Sequence, residues 1–167
     1  MFTLFLEVLE AISGYHVINF QPKDFVKRYM EFRTSIGIDA FADDVWHVLT
    51  DIANWQEWNT TVDKVTGKVA IDQQIKIYTN GDTTRAFNVK VTELAKPSRM
   101  VWAGGLPFGL LTAIRTFSLT KGAGSFYDFT VHEQFSGILL PVFRNRIPDL
   151  QASIDEFAIC LKKRIES

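Results

Sequence analysis

The sequence contains one cysteine and almost no surplus of charge, and each shortage excludes a class of function. Cys160 has no second cysteine to pair with, so we expect no internal disulfide and no cysteine-based metal cluster. A single thiol is typical of a reducing compartment, which favours a cytoplasmic location. The 18 basic residues nearly balance the 19 acidic residues, so we expect no nucleic acid partner.

The sequence also lacks an uninterrupted apolar run of membrane-spanning length. Its opening stretch, MFTLFLEVLEAISGY, contains Glu7 and Glu10 and follows no basic segment, so we expect neither a signal peptide nor stable membrane insertion. The apolar residues of this stretch recur at helical spacing, which predicts a helical N-terminal extension over residues 1–29. Met30 is an alternative start, and residues 30–167 are predicted to form a single domain.

Motifs for metal binding and nucleophilic catalysis are missing as well. The three histidines, His16, His47 and His132, show neither HxH nor HExxH spacing, so we expect no metal. The sequence has no G-x-S-x-G nucleophile motif and no glycine loop suited to phosphate, so we expect no cofactor. Cys160 is predicted to be a buried, inert thiol.

The sequence does contain a clear order of strand and helix patterns. Residues Phe32 to Ile38 alternate as a strand does, and a helical pattern follows that breaks near Thr50 and Asp51. This predicts one strand followed by two short helices. Several β-rich runs come next, with turn signals at residues 80–81 and 121–125. Short turns between neighbouring strands favour an antiparallel sheet.

The last part of the sequence has a helical pattern. From Phe143 to Ile165 the apolar residues recur every three or four positions, and acidic residues precede basic ones as the helix dipole favours. We predict the main helix from Pro148 to Arg164. The whole pattern predicts an α+β fold, with a curved antiparallel sheet of about seven strands wrapped around a long C-terminal helix. A small molecule fits naturally between such layers.

Several stretches also resemble a known family. The segments IGIDAFADDVWHVLTDIANWQEWN, RMVWAGG, TAIRTFSLT, HEQFSGILLP and LKKRIE occur in the order found in the SRPBCC or START-like superfamily, which includes polyketide cyclase/dehydrase, lipid-transfer and pollen-allergen-like proteins. The resemblance covers Met30 to Glu166. It implies a helix-grip fold and a START-like ligand-binding domain over residues 30–167. It also implies a cavity for lipids, sterols or polyketides, more firmly than it implies a reaction.

Strand parity places two charged residues on the sheet face that carries the core. Arg115 shares a face with Phe117, and Glu133 shares a face with Phe129. An interior charge is expensive unless it is paired, so we predict an Arg115–Glu133 ion pair at one end of the cavity, where it presents polar groups to a ligand. The alternative is an ordinary salt bridge in solvent at the ends of the strands.

Two tryptophans mark the predicted pocket entrance. Trp55 and Trp58 lie three residues apart and share a side of a short helix, and Trp58 with Asn59 matches the W-N pair of the family. We predict that Trp58 anchors the helix and that Trp55 touches the ligand, with packing alone as the alternative. The predicted ligand-binding residues are Trp55, Trp58, Phe87, Val89, Met100, Trp102, Arg115, Phe117, Tyr127, Phe129, Glu133, Ile154, Phe157 and Leu161.

Three functions fit these patterns. The first is non-catalytic binding or transport of a hydrophobic or amphipathic small molecule. The second is an aromatase/cyclase-type enzyme, in which Arg115, Glu133 or Tyr127 positions and protonates a polyketide-like chain. The third is a stress-response or co-chaperone-like interaction module that uses the FGLL loop, Phe108 to Leu111, as an exposed apolar contact. The sequence leaves the oligomeric state open, and a homodimer is one option.

Overall fold

The antiparallel meander predicted from the turn signals is present in the computed structural model, which describes residues 29–79, 86–122, 124 and 126–167. The predicted N-terminal helix and the turn at residues 80–81 lie outside the described residues. The strands are β1 (Tyr29–Asp39), β2 (Lys64–Gly67), β3 (Gln74–Tyr78), β4 (Phe87–Ala95), β5 (Arg99–Gly105), β6 (Thr112–Lys121) and β7 (Phe126–Ser136). The helices are α1 (Ala42–Thr50), α2 (Leu140–Phe143) and α3 (Gln151–Glu166), with 3₁₀ helices at Ile52–Glu57 and Pro107–Gly109.

The strands form one curved seven-stranded sheet. Their order is β1-β7-β6-β5-β4-β3-β2, and all neighbours are antiparallel. The first two strands therefore lie at opposite edges, and the chain between them crosses the core side of the sheet as two short helices. The first of these ends at Thr50 and the second begins at Ile52, which confirms the predicted break. The α+β helix-grip prediction is confirmed.

The C-terminal helix α3 packs along β1. Gln151 Nε2 donates a hydrogen bond to Arg33 O at 2.9 Å, and Lys162 Nζ donates to Gly37 O at 2.6 Å. Residue numbers rise together in these pairs, so the helix runs in the same direction as the strand. The N-terminus of α3 lies beside Arg33, so the helix does not extend over the first residues of β1.

The predicted start of the last helix at Pro148 is wrong by three residues. The helix begins at Gln151, whose N–H donates to Asp149 Oδ1 at 2.9 Å. This hydrogen bond closes a turn between the Asp149 side chain and the backbone two residues later. The turn directs the backbone into the helix and replaces Pro148 as the starting signal. Phe143, the first apolar residue of the predicted pattern, belongs to a separate one-turn helix, α2, and Ile147 and Leu150 lie between the two helices.

The core lies between α1, the first 3₁₀ helix, α3 and one face of the sheet. We call this face, which carries Phe117 and Phe129, the inner face. Partners that lie directly opposite in neighbouring strands share a face, so the register assigns every strand position to one side. The largest fully buried side chains are Trp55, Trp102, Phe117, Phe129, Ile38, Leu49, Ile75, Met100, Leu140, Leu161, Val45 and Val91.

Burial along the inner face is uneven. On β1, β6 and β7 most inner-face positions under α3 are buried, whereas those beyond its N-terminus are partly exposed. On β4, Phe87 is largely exposed, but its neighbours on β2 and β3 stay buried. We call the exposed region the open half of the inner face. It consists of Met30, Phe32, Phe87, Val89, Ala113 and Phe135, which the strand register places on the same side as the core. The sheet therefore has a filled end and an apolar end that α3 does not cover.

Candidate functional site

The predicted ion pair stands at the boundary between the core and the open half. Arg115 and Glu133 lie directly opposite in β6 and β7, and Arg115 Nε donates to Glu133 Oε2. The Glu133 side chain is 8% exposed and the Arg115 side chain is 25% exposed, so the pair is not an ordinary solvent salt bridge. A buried carboxylate requires such a partner. This observation confirms the pairing, though not yet a contact with a ligand.

The same row of the sheet carries hydrogen-bond donors without acceptors. Trp102 lies opposite Arg115 in β5, is fully buried, and its Nε1 has no hydrogen-bond partner in the described part of the chain. Among the described residues Glu133 is the one partner of the Arg115 guanidinium, which has five N–H groups. A ligand oxygen at this position would gain donors that the protein itself leaves unused.

The filled end of the inner face is an aromatic cluster centred on Trp55. Its ring stacks on Trp102 at 5.5 Å between centroids and meets Phe157 of α3 at 5.0 Å. Its Nε1 donates to Leu49 O at 3.1 Å, so the polar atom of the ring is satisfied inside the core. Trp55 therefore holds the first 3₁₀ helix against both the sheet and α3.

The anchoring role that was predicted for Trp58 therefore belongs to Trp55. Trp55 is fully buried and anchors the helix, whereas Trp58 is partly exposed and lies at the edge of the cluster. The Trp58 ring contacts Trp55 at 5.8 Å and Phe157 at 5.6 Å. Both rings lie on the same side of the helix, as expected, but the Trp55 ring is buried more deeply than the Trp58 ring.

The other predicted residues divide between the core and the open half. Met100, Trp102, Phe117, Phe129, Ile154, Phe157 and Leu161 are buried core residues. Val89 is half-buried in the open half. Phe87, which was predicted to lie along the cavity wall or in the core, is 66% exposed and lies in the open half, although its partner Ile77 in β3 is buried.

Tyr127 does not join the predicted catalytic group. It lies opposite Lys121 and Ile38, at the end of β7 that is remote from the open half. Six residues of extended strand separate it from Glu133, a distance of about 20 Å at the usual rise of a strand. The register therefore separates Tyr127 from the Arg115–Glu133 pair, so Tyr127 cannot act in direct contact with it.

Four residues of the open half were not among the predicted site residues. Met30, Phe32, Ala113 and Phe135 surround the ion pair along the inner face, and the Phe32 and Phe135 rings meet edge to face at 6.4 Å. The period-two parity that identified Arg115 also applies to these residues. The alternation of side chains predicts the face of the sheet on which a residue lies, but it does not predict which part of that face α3 leaves open.

A shallow groove, which we call the outer groove, lies mainly on the opposite side of the sheet and is wide open to solvent. Its lining combines polar side chains such as Asn88 and Lys90 with apolar residues such as Ala103. It also includes Val89 and Gly104, which the register places on the inner face. The inner face is the better candidate site, because it joins apolar surface to buried polar groups that have unused donors.

The described residues give no sign of a metal centre or a membrane span. No three His, Cys, Asp or Glu side chains in this part of the chain come together as a metal ion would require. None of the described helices is long and apolar enough to cross a bilayer.

Solved structures with the same fold include proteins of several kinds. A point mutant of norcoclaurine synthase from Thalictrum flavum, in complex with a transition-state analogue, is 10% identical, with a TM-score of 0.63 over 83% of this chain and 94% of that chain. A START superfamily protein from Mycobacterium smegmatis is 12% identical, with a TM-score of 0.59 over 81% and 97%. The di-domain ARO/CYC StfQ from the steffimycin biosynthetic pathway is 14% identical, with a TM-score of 0.59 over 83% and 51%. Likeness at these identities establishes the fold alone.

The family follows from the sequence comparison. No curated protein matches the chain. The model of the family described as polyketide cyclase / dehydrase and lipid transport matches residues 29–166, which is nearly all of the described structure. The chain therefore belongs to the polyketide cyclase / dehydrase and lipid transport family.

Proposed function

We propose that the protein binds a hydrophobic or amphipathic small molecule on the open half of the inner face. The apolar part of the ligand lies against Phe32, Val89 and Phe135, and a ligand oxygen accepts hydrogen bonds from Arg115. The observation that carries this proposal is the largely buried Arg115–Glu133 pair, which stands between a filled core and a partly exposed apolar surface.

Elementary energetics supports an apolar occupant. In the open half Phe87 is exposed and Met30, Phe32, Val89 and Phe135 are partly exposed. Covering this surface yields about 25 cal/mol for each Å² of apolar surface removed from water. The ion pair is electrically balanced, so it adds no strong preference for a charged ligand. Its unused donors instead favour a ligand with a carbonyl, carboxyl or hydroxyl oxygen at one end of an apolar body.

The comparisons agree with this class of ligand. The family description names both lipid transport and polyketide cyclisation or dehydration, and both activities act on apolar molecules with oxygen groups. The norcoclaurine synthase structure is described with a transition-state analogue, so a protein with this fold holds a small molecule. These similarities favour a small-molecule site without naming the molecule.

Filling the open half tests the proposal. Dansyl-labelled undecanoic acid is titrated into the protein and its fluorescence is followed. Ala113→Phe places a ring on the inner face beside Phe135 and should weaken binding at least tenfold, about the loss expected when the apolar contact of one ring-sized group is blocked. Ala103→Phe is the matched control, because Ala103 lies on the neighbouring strand, faces the outer groove, and should leave the affinity unchanged.

Equal weakening by both substitutions would indicate a general effect on the sheet and would count against the site. If Ala103→Phe alone weakens binding, the ligand binds in the outer groove and not on the inner face. Circular dichroism and thermal unfolding of both variants establish that each is folded before binding is compared.

The indole N–H of Trp102 gives a second readout that needs no substitution. A ligand oxygen that reaches this donor shifts its proton NMR signal downfield, because a new hydrogen bond deshields the proton. Trp55 Nε1 is the internal control, since it is already bonded to Leu49 O. Dodecanoic acid should move the Trp102 signal and leave the Trp55 signal nearly unchanged, whereas the reverse would exclude this position for the polar end.

A cyclase-type enzyme is the second candidate, and the unused donors beside the ion pair favour it. Donors fixed in an apolar setting can polarise a carbonyl and orient a flexible chain for ring closure. This version uses Arg115 and not Tyr127, which is remote. Incubation with a poly-β-keto thioester should then yield an aromatic absorbance that Arg115→Met abolishes. If the protein binds the ligand but does not turn over the thioester, the result counts against the cyclase and the non-catalytic carrier function remains.

A further inference from the structure

We propose that the end of the molecule beside the open half docks on the surface of an anionic lipid membrane. The docking tip consists of residues 106–111, between β5 and β6, and residues 137–146, which follow β7. This inference rests on the proposed function, because docking would place the open half next to a source of apolar ligand.

The docking tip exposes large apolar side chains. Phe108 is 99% exposed, Ile138 is 78% exposed and Val142 is 42% exposed. Phe108 also has φ 58° and ψ 21°, a left-handed conformation that a bulky residue rarely adopts. The backbone thus holds an aromatic ring in solvent at a cost in strain, and strain of this kind is concentrated at functional sites.

The two segments of the tip are fastened to each other. Leu139 N donates to Leu110 O at 2.9 Å, which joins the loop after β5 to the turn after β7. A side chain at Gly137 would place its Cβ 2.5 Å from Leu110 O, so the approach requires glycine there. The exposed apolar residues of both segments therefore belong to one surface.

The charge of the tip complements an anionic surface. Residues 104–114 and 134–143 contain no charged residue, so this part can enter a medium of low dielectric without desolvating a charge. Arg144 and Arg146 follow immediately, both are exposed, and no acidic residue occurs between Glu133 and Asp149. Apolar insertion with arginines at the headgroup level is the pattern of a peripheral membrane contact.

A lipid surface fits this tip better than a protein partner does. Three protruding apolar side chains offer far less contact area than the approximately 800 Å² per partner of a stable protein interface. Such side chains are, however, sufficient for reversible insertion when cations assist them. The net charge of the whole chain is −1, so the attraction comes from the local arginines.

The docking tip is continuous with the open half. Ala113 lies two residues after Leu111, the last residue of the loop, and Phe135 lies two residues before Gly137. A molecule leaving a bilayer beneath the tip would meet the apolar side chains of the open half directly, with no intervening charged surface.

Vesicle sedimentation tests the docking. Wild-type protein should sediment with vesicles of equal parts phosphatidylcholine and phosphatidylglycerol, and Phe108→Asp should bind at least tenfold more weakly, since one inserted ring is lost. Aspartate tolerates the left-handed conformation, so the variant should fold. Phe41→Asp is the matched control, because Phe41 is 76% exposed at the opposite end of the sheet, and its binding should equal that of the wild type.

The arginines are tested in the same assay. Arg144→Glu with Arg146→Glu should lower vesicle binding at least about 30-fold, because about 1 kcal/mol is lost per basic residue near an anionic surface and the new carboxylates are repelled. Lys68→Glu with Lys76→Glu makes the same charge change at exposed positions elsewhere and should change binding only slightly. Binding should fall in 1 M salt, where the Debye length is about 3 Å.

Four results would overturn the docking proposal. They are absence of binding to the anionic vesicles, equal binding to pure phosphatidylcholine vesicles, equal loss with Phe41→Asp, or tip-dependent self-association in sedimentation velocity, which would make the tip a contact between two copies. Titration with dansyl-labelled undecanoic acid without vesicles separates the two proposals. Phe108→Asp should bind this probe normally. If the wild-type protein binds the probe but does not bind the vesicles, only the docking proposal is overturned and the proposed function stands.

Discussion

At the scale of single residues, the interior is organised by two tryptophans that come from distant parts of the chain. Trp55 and Trp102 stack at 5.5 Å, and Phe157 closes the stack from the side of α3. Sequence spacing predicted correctly that Trp55 and Trp58 share a side of a helix, because residues three apart are aligned in a 3₁₀ helix. The spacing could not predict which ring is deeper, since that depends on Trp102, far along the sequence.

The depth of the two rings has a measurable consequence. Trp55→Ala should lower the free energy of unfolding by about 3–5 kcal/mol, because it leaves a large cavity in the core. Trp58→Ala should cost clearly less, because part of that ring is already in water. Urea unfolding followed by far-ultraviolet circular dichroism measures both losses. A larger loss for Trp58→Ala would contradict the anchoring role assigned to Trp55.

The ion pair makes a second prediction at this scale. Glu133→Leu alone should lower the free energy of unfolding by about 2–4 kcal/mol, because it strands the Arg115 charge in a mostly buried position. Adding Arg115→Met should restore much of the loss, because an apolar pair of similar volume replaces both charges. If the double variant is stable and no longer binds dansyl-labelled undecanoic acid, the pair serves binding. Unchanged affinity would assign it to structure alone.

At the scale of elements, the sequence predicted the strands and helices more reliably than their ends. Strand parity located the Arg115–Glu133 pair because side chains alternate with a strict period of two. The start of α3 was missed because it depends on the Asp149 side chain, and the apolar spacing of α2 continues into α3 without a visible break. The loop after β5 was identified, but its strained backbone has no signature in the pattern of apolar residues.

Two glycines of this loop should respond differently to the same substitution. Gly105 and Gly109 both have positive φ, 132° and 68°. A Cβ on Gly105 would lie 2.1 Å from Leu111 O, whereas a Cβ on Gly109 would meet nothing within 4 Å. Gly109→Ala should cost about 1 kcal/mol from backbone strain alone, and Gly105→Ala should cost several times more. Thermal unfolding compares them, and equal costs would contradict the close approach of the loop ends.

At the scale of the whole molecule, the fold is a sheet whose inner face is filled at one end and partly exposed at the other. The helix-grip prediction came from the order of elements and was confirmed, because one sheet with an apolar face requires a covering helix. The position of α3 along β1 could not be predicted, since it is fixed by long-range contacts such as Gln151 with Arg33. That position decides where a ligand has room.

The most direct test of this account is a nuclear Overhauser experiment on carbon-labelled protein with unlabelled dodecanoic acid. Ala113 and Ala103 lie on neighbouring strands and face opposite sides of the sheet, so their methyl groups report on the two faces. A ligand in the open half should give strong signals to the methyl groups of Ala113 and Met30, and none to Ala103. Signals to Ala103 without signals to Ala113 would contradict the inner-face site.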